Sequence, residues 1–402
     1  MKDISMSMQN LLSDSEKFSL YLFQKMVLVN KGFEFLEFYE FEYALGNVTP
    51  AKGWGSILPD KREVLQELCT KPDFFSSIEL KVVRNNQIIL DETLLHLTQM
   101  IMVGLVIEEY PIEWINSQFY FDIRAFCFFI RTQYFNQRIL NHFGDKPYFS
   151  FEPRQSQLES SQEIGYKEFK QANQEVDQAF LETINQLIQL RGTPIMLSLA
   201  GPTGAGKTEI TERIRDYLQN QGLQITTIEM DNFYKDREFR DGKTHDKNVI
   251  HFDLFINAMQ DLLKGKSASI PCYDFYLAIS SHDLNGQLRS GQIPLTIKPA
   301  EVIFLEGNFP FHMQELSDLI RLRTVYMTDD PIRLKRKWRR DIDYRKKYDP
   351  VAFVNRYFRT QFIRAQEIYL PLMEVCDLVV DTTAAKLWVV PAIQEELKKF
   401  QK

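Results

Sequence analysis

Between residues 155 and 191 an otherwise polar stretch carries apolar side chains at helical spacing: Phe169, Ala172, Val176, Phe180, Ile184 and Leu187. That period predicts one long amphipathic helix, stopped by Gly192 and Pro194. Beyond it, short apolar runs alternate with amphipathic segments. Residues 194–200 read as a strand. Residues 207–221 read as a helix with Ile210, Ile214, Tyr217 and Leu218 on one face and Gly222 as its stop. A strand at 223–230 follows, then a helix at 252–264 with Phe255, Ile256, Met259 and Leu262 inward. Strands at 301–305 and 324–328 complete the series. Asp330–Pro331 and Asp349–Pro350 each read as a helix start, an N-cap acid before a proline. Strands separated by helices predict an α/β fold with a parallel sheet flanked by helices.

The first part of the chain follows no such alternation. Residues 78–83 and 87–90 flank Asn85–Asn86 and read as a hairpin with a tight turn. Residues 114–140 are apolar at helical spacing and rich in aromatics. Residues 33–43 interleave aromatics with Glu34, Glu37, Glu40 and Glu42, acids that would repel phosphates, so this run reads as a core element with a solvated acidic face. No catalytic constellation stands out in residues 1–160. The expected organisation is an α+β N-terminal domain of unknown type at 1–155, a connecting helix at 156–192 and the α/β domain at 193–402.

Composition narrows the class of protein only mildly. A chain of 402 residues, 44% apolar and 25% charged, has material for more than one core. A net charge of −6 argues against a protein that coats nucleic acid. Cys69, Cys127, Cys272 and Cys376 lie too far apart for a zinc or redox pair and read as buried thiols. No secretory leader is expected at the N terminus, and the apolar run at 100–107 is too short to span a bilayer. A cytoplasmic protein with neither a nucleic-acid nor a membrane partner is the expectation, and a homo-oligomer stays open.

The chemistry begins at residues 201–208, GPTGAGKT, which fit the G-x-x-x-x-G-K-[ST] phosphate loop. Gly201, Gly204 and Gly206 let the backbone turn tightly, so that N–H groups from Gly201, Thr203, Gly204, Ala205 and Gly206 face the phosphates of ATP or GTP. Lys207 reaches the β- and γ-phosphates, and Thr208 offers its hydroxyl to Mg²⁺. A GTP-binding switch would need a base-reading N-K-x-D, which the C-terminal half lacks, and Asp283-Leu-Asn-Gly286 matches D-x-x-G by letters only. Transport and motor ATPases would end the relevant strand in Asp, whereas here it ends in Glu306-Gly307. Asp231, at the end of the second strand, can orient an acceptor hydroxyl and take its proton. Residues 335–347 hold eight basic side chains in thirteen and read as a helix and lid that bring arginines over the transferred phosphoryl group.

These stretches together resemble the uridine kinase and phosphoribulokinase family, nearest its uridine–cytidine kinase branch. GPTGAGKT at 201, MDNFYKD at 230, HFD at 251, IPCYDF at 270, VIFLEGN at 302, LKRKWRRDIDYR at 334, YLP at 369 and VCDLVVD at 375 occur in the family's order. The resemblance implies a P-loop kinase that uses ATP and Mg²⁺. It puts Lys207 on the phosphates and Thr208, Asp231 and Glu306 around the metal, with Asp231 also the base. It implies Tyr234, Tyr273 and Phe275 around the acceptor, and Arg340 and Arg345 on the phosphates or the lid. A nucleoside is the acceptor it implies.

The departures fall on the acceptor side. Tyr276-Leu-Ala-Ile follows Tyr273-Asp-Phe where the family places a base-reading histidine, and His282 comes several residues later. Residues 248–253 lack the family proline, and Phe362 stands at a family arginine with Arg364 near it. Kinase chemistry on a sugar phosphate, pantothenate or glycerate is therefore a second expectation. An ATP-sensing interaction protein built on the kinase fold is a third.

Overall fold

The computed structural model describes residues 10–29, 38–46, 48–69, 81–82, 88–89, 92–117, 134–153, 173–240, 247–308, 310–311, 314–328, 332–333, 336–337, 340–341 and 364–400. The chain forms two compact units. One comprises Met1–Gln133, Pro153–Asn173 and Thr328–Glu367, the other Tyr134–Glu152, Gln174–Met327 and Ile368–Lys402.

The first unit is mainly helical among its described residues: α1 (Ser15–Val29), α2 (Phe38–Gly46), α3 (Lys61–Cys69), α4 (Glu92–Val106) and α5 (Ile112–Ser117). Strands β1 (Lys81–Val82) and β2 (Ile88–Ile89) pair antiparallel, as the hairpin reading expects. Its core forms because α1 and α4 turn apolar stripes inward: Phe18, Leu22 and Met26 meet Leu97, Ile101 and Leu105. Phe18 stacks on Trp54 with ring centroids 4.3 Å apart. Ile332, just before the basic segment late in the sequence, is buried in the same core. The predicted aromatic segment at 114–140 is described only at its ends.

In the second unit α6 (Gln137–His142) and β3 (Phe149–Ser150) come first, followed by α7 (Gln174–Arg191). Residues 155–172 of the predicted long helix lie outside the described residues, and Asn173 is in a turn. On α7 the predicted positions Val176, Phe180, Ile184 and Leu187 are all buried. Next come β4 (Ile195–Ala200), α8 (Lys207–Asn220), β5 (Ile225–Glu229), α9 (Arg237–Arg240) and α10 (Phe252–Leu263). Short strands β6 (Ala268–Ile270), β7 (Tyr273–Asp274), β8 (Ile279–Ser280) and β9 (Leu295–Ile297) make two small antiparallel pairs, β6 with β9 and β7 with β8. Strands β10 (Val302–Gly307), β11 (Leu322–Met327), β12 (Leu378–Asp381) and β13 (Lys386–Val389) and the final helix α11 (Pro391–Phe400) complete the unit.

The main sheet has seven strands in the order β3-β13-β12-β11-β4-β10-β5. Five of them, β5 through β12 in that row, run parallel, and β13 and β3 add an antiparallel edge. β4 and β12 are buried along their whole length, the pattern of strands covered on both faces. This is an α/β fold with a mostly parallel sheet flanked by helices. β4 lies between β10 and β11, so the chain leaves its carboxyl end at the crevice where ligands bind in such sheets.

A buried network fixes α7 to this sheet. Asp177 on α7 takes an ion pair from Arg213 on α8 and a 2.8 Å hydrogen bond from the Tyr326 hydroxyl on β11. Arg191 at the far end of α7 pairs with Glu396 on α11 at 2.7 Å. Cys376 is buried, but Cys272 is only half-buried, because it sits on the connection between two short surface strands rather than in the sheet. Asp283–Gly286 forms a turn in which the Asp283 carboxylate accepts from the Asn285 and Gln287 amides, so its likeness to a switch motif is local turn chemistry. Among the described residues no helix is long and apolar enough to cross a membrane.

Candidate functional site

The loop at 201–206 runs from β4 into α8. Gly201 is required by close approach: a Cβ there would lie 2.3 Å from the Tyr326 carbonyl oxygen on β11. Gly204 and Gly206 hold positive φ of 84° and 101°, and Gly206 is the N-cap of α8. The N-terminal amides of α8 therefore begin inside the loop, where backbone donors and the helix dipole favour an anion. Ala205 is fully buried, and its amide donates to the Pro202 carbonyl at 3.2 Å, closing the turn. Thr208, on the first turn of α8, is exposed.

Acids converge beside the loop. Glu306 is the penultimate residue of β10, in register with Leu199 on β4 and with Glu229 at the end of β5. Its carboxylate lies 3.8 Å from Lys207 Nζ. Burial pushes the Glu306 carboxyl up to about 7; Lys207 opposes that, while Asp231 and Glu229 add to it by charge repulsion. Burial, with the Asp231 charge, also raises Glu229. Asp231 sits on the 3₁₀ turn Met230–Phe233 that leaves β5. That turn packs tightly on β10, since a Cβ at Gly307 would meet the Met230 side chain at 2.6 Å.

Carboxylates that repel one another in a half-buried corner suit a divalent cation, as does the hydroxyl of Thr208, the residue after Lys207. Among the described residues no three His, Cys, Asp or Glu side chains converge closely enough to cage a metal. That donor set fits Mg²⁺, which keeps several waters and is commonly held by one or two carboxylates together with substrate phosphates.

The aromatic side of the site follows the acids in sequence. Tyr234 and Tyr273 are buried, with ring centroids 6.1 Å apart. The Tyr234 hydroxyl accepts from Asn308 Nδ2 at 3.3 Å, which ties it to the end of β10. The Tyr273 amide donates to Asn232 Oδ1 at 3.4 Å. Phe275 is 5.1 Å from Tyr273 but 49% exposed, at the tip of the β7–β8 pair. Arg240 lies over both tyrosine rings.

Behind β7–β8 is a polar cluster. His251 Nε2 lies 3.2 Å from Ser280 Oγ, and Asp236 pairs with Arg289 at 2.6 Å while accepting the Ser280 amide at 2.8 Å. Burial, helped by the Lys235 and His282 charges, pulls His251 down to about 4. His282 is also lowered by burial, and its Nδ1 faces Ser281 Oγ at 2.9 Å.

The structure thus brings Gly201, Gly206, Lys207, Asp231 and Glu306 to one end of the sheet, with Tyr234, Tyr273 and Phe275 following on. Arg340 belongs to the other compact unit, where its guanidinium makes two bonds of 2.8 and 3.1 Å to the buried carboxylate of Asp341. Arg345, most of the lid segment and both predicted Asp-Pro helix starts lie outside the described residues. Sequence reasoning missed Glu229, Asn308 and Arg240. Glu229 could have been found as the acid that ends the strand two residues before Asp231. Arg240 leaves no local signal, because its seat depends on Tyr273, 33 residues away in sequence.

Comparison with known proteins bears on the same segment. The model of the Phosphoribulokinase / Uridine kinase family matches residues 196–387. A Uridine-cytidine kinase 2-B of Danio rerio is 25% identical over 218 residues, which are 51% of this chain and 79% of that protein. A Uridine kinase of Macrococcus caseolyticus is 30% identical over 189 residues, 44% of this chain and 86% of the relative. One from Streptococcus agalactiae serotype V is 32% identical over 162 residues, 39% of this chain and 72% of the relative. With its phosphate loop, parallel sheet and these relatives, the chain belongs to the phosphoribulokinase / uridine kinase family of P-loop kinases.

Proposed function

We propose that this protein is an ATP- and Mg²⁺-dependent kinase that transfers the γ-phosphoryl group to a hydroxyl of a small molecule. The observation that carries the reading is the meeting of Lys207 with a half-buried acid corner. Its ammonium lies 3.8 Å from Glu306, whose carboxyl is raised by burial and by the charges of Asp231 and Glu229. Phosphoryl transfer asks the protein for positioning and charge stabilisation more than for covalent chemistry. The amides of Gly201, Thr203, Gly204 and Gly206 and the N terminus of α8 bind the phosphate chain. Lys207 neutralises charge on the β- and γ-phosphates. Asp231 orients the acceptor hydroxyl and accepts its proton. Thr208, Asp231 and Glu306 would hold Mg²⁺, which when bound stabilises charge on the transferred group. Arg340 and Arg345 are candidates for the closing lid.

A nucleoside is the acceptor that the names of the relatives suggest. A second reading, an acceptor bearing its own negative charge, is favoured by Arg240, which lies against the tyrosines on the acceptor side. The test is acceptor-dependent ADP release by the full chain with ATP and Mg²⁺, over nucleosides, sugar phosphates and hydroxy acids. At least one acceptor should release ADP stoichiometrically with its own phosphorylation. ATP binding without any acceptor-dependent turnover, coupled to capture of another protein, would instead support a nucleotide sensor.

A further inference from the structure

Beside Tyr234 and Tyr273 lies a cation held in a defined orientation. The guanidinium of Arg240 lies 4.3 Å from the ring centroid of Tyr234 and 5.3 Å from that of Tyr273. Its Nε donates to the Lys235 carbonyl and one Nη2 proton to the Tyr273 hydroxyl, each at 2.7 Å. Those bonds occupy two of the five N–H groups of a planar fork and fix its plane. Among the described residues no carboxylate pairs with Arg240, and Asp236, four positions earlier, is held by Arg289.

The site is therefore polar along its length. Glu229, Asp231 and Glu306 make one pole. Tyr234 links the two, its hydroxyl bonded to Asn308 beside the acids and its ring under Arg240. Aromatic faces strip water from one side of this half-buried cation without neutralising it, which strengthens its attraction for an anion. A neutral nucleoside has no charge to meet such a group.

We infer that Arg240 reads an anionic group, phosphate or carboxylate, on the acceptor whose hydroxyl is presented to Asp231. The substrate class is then a phosphorylated or carboxylated alcohol rather than a neutral nucleoside. This rests on the kinase reading above and narrows it. A planar fork held by two bonds offers paired donors to two oxygens of such a group.

The experiment compares acceptors that differ only in the anion, using the full chain with ATP and Mg²⁺. Ribose is set against ribose 5-phosphate and glycerol against glycerate, so that phosphate and carboxylate are tested separately, with uridine as the neutral nucleoside. One anionic member should exceed its neutral counterpart in kcat/KM by on the order of 100-fold. Arg240→Gln should raise KM for that acceptor by about 10- to 100-fold, the scale of a charged hydrogen-bond pair, with a much smaller change in KM for ATP. Arg240→Lys should fall between, since it keeps the charge and loses the fork. Preference for uridine, or an unchanged acceptor KM in Arg240→Gln, overturns the inference and leaves the kinase reading standing. No ADP from any acceptor counts against the kinase reading instead. Calorimetry of inorganic phosphate and of glycerate with the ADP- and Mg²⁺-loaded chain then decides about Arg240. Binding weakened at least about tenfold by Arg240→Gln supports the inference, and equal binding overturns it.

Discussion

His251 is buried among Ser280, His282, Lys235 and Asp236, and this pulls its imidazole down to about 4 from the ordinary 6.5. A lowered histidine pKa means that the unfolded chain binds the proton more readily than the folded one. The contribution of His251 to stability is complete above pH 6.5 and is lost as pH falls toward 4. His282, also lowered by burial, acts in the same direction. The unfolding midpoint of the nucleotide-free chain should drop across that window, and His251→Asn should flatten the drop; an unaltered slope would remove His251 as its source. Gly201 gives a second residue-scale prediction. Its missing Cβ would strike the backbone of Tyr326 at 2.3 Å, where no flexible side chain can yield. Gly201→Ala should therefore cost roughly 1–3 kcal/mol in stability, as overpacking does, and weaken ATP binding by displacing the loop. Thermal unfolding and nucleotide titration read the two effects. ATP affinity equal to that of the native chain would show that the loop tolerates the shift.

Among the elements, α7 carries the strongest expectation. Its residues precede the segment that matches the family model, yet Asp177 reaches both α8, the phosphate-loop helix, and β11, whose Tyr326 carbonyl packs on Gly201. Asp177→Ala would leave Arg213, 6% exposed, as a buried charge without its carboxylate. The expected cost is about 3–5 kcal/mol, the range for removing one partner of a buried pair. Tyr326→Phe, which removes one hydrogen bond, should cost about 1 kcal/mol. Denaturant unfolding checks both, and equal costs would contradict the central place given to Asp177. These contacts also mark what was legible beforehand. The period of α7, the strand–helix alternation and the phosphate loop could be read because each is local: apolar spacing, glycines at a turn, a lysine at a helix start. The antiparallel edge of β13 and β3 could not, because Phe149 pairs with Leu387 across most of the chain. Asp177 was passed over for a related reason: an acid on an amphipathic helix reads as solvated until its partners on α8 and β11 are known.

For the whole molecule the same division applies. The residues proposed for the donor side fall in contiguous motifs that the sequence displays: Lys207 and Thr208 in the loop, Asp231 after β5, Glu306 next to last in β10. Those proposed for the acceptor side come from separate segments, so Arg240 and Asn308 emerge only from the packed unit. We propose that Asp231 serves this kinase as the acceptor base. Nucleotide binding and acceptor-dependent ADP release, measured together in the native chain and in Asp231→Asn, test that role. Asp231→Asn should bind ATP nearly as the native chain does while turnover falls by about 10²–10⁴-fold, the usual loss of a general base. Normal turnover by Asp231→Asn would contradict it.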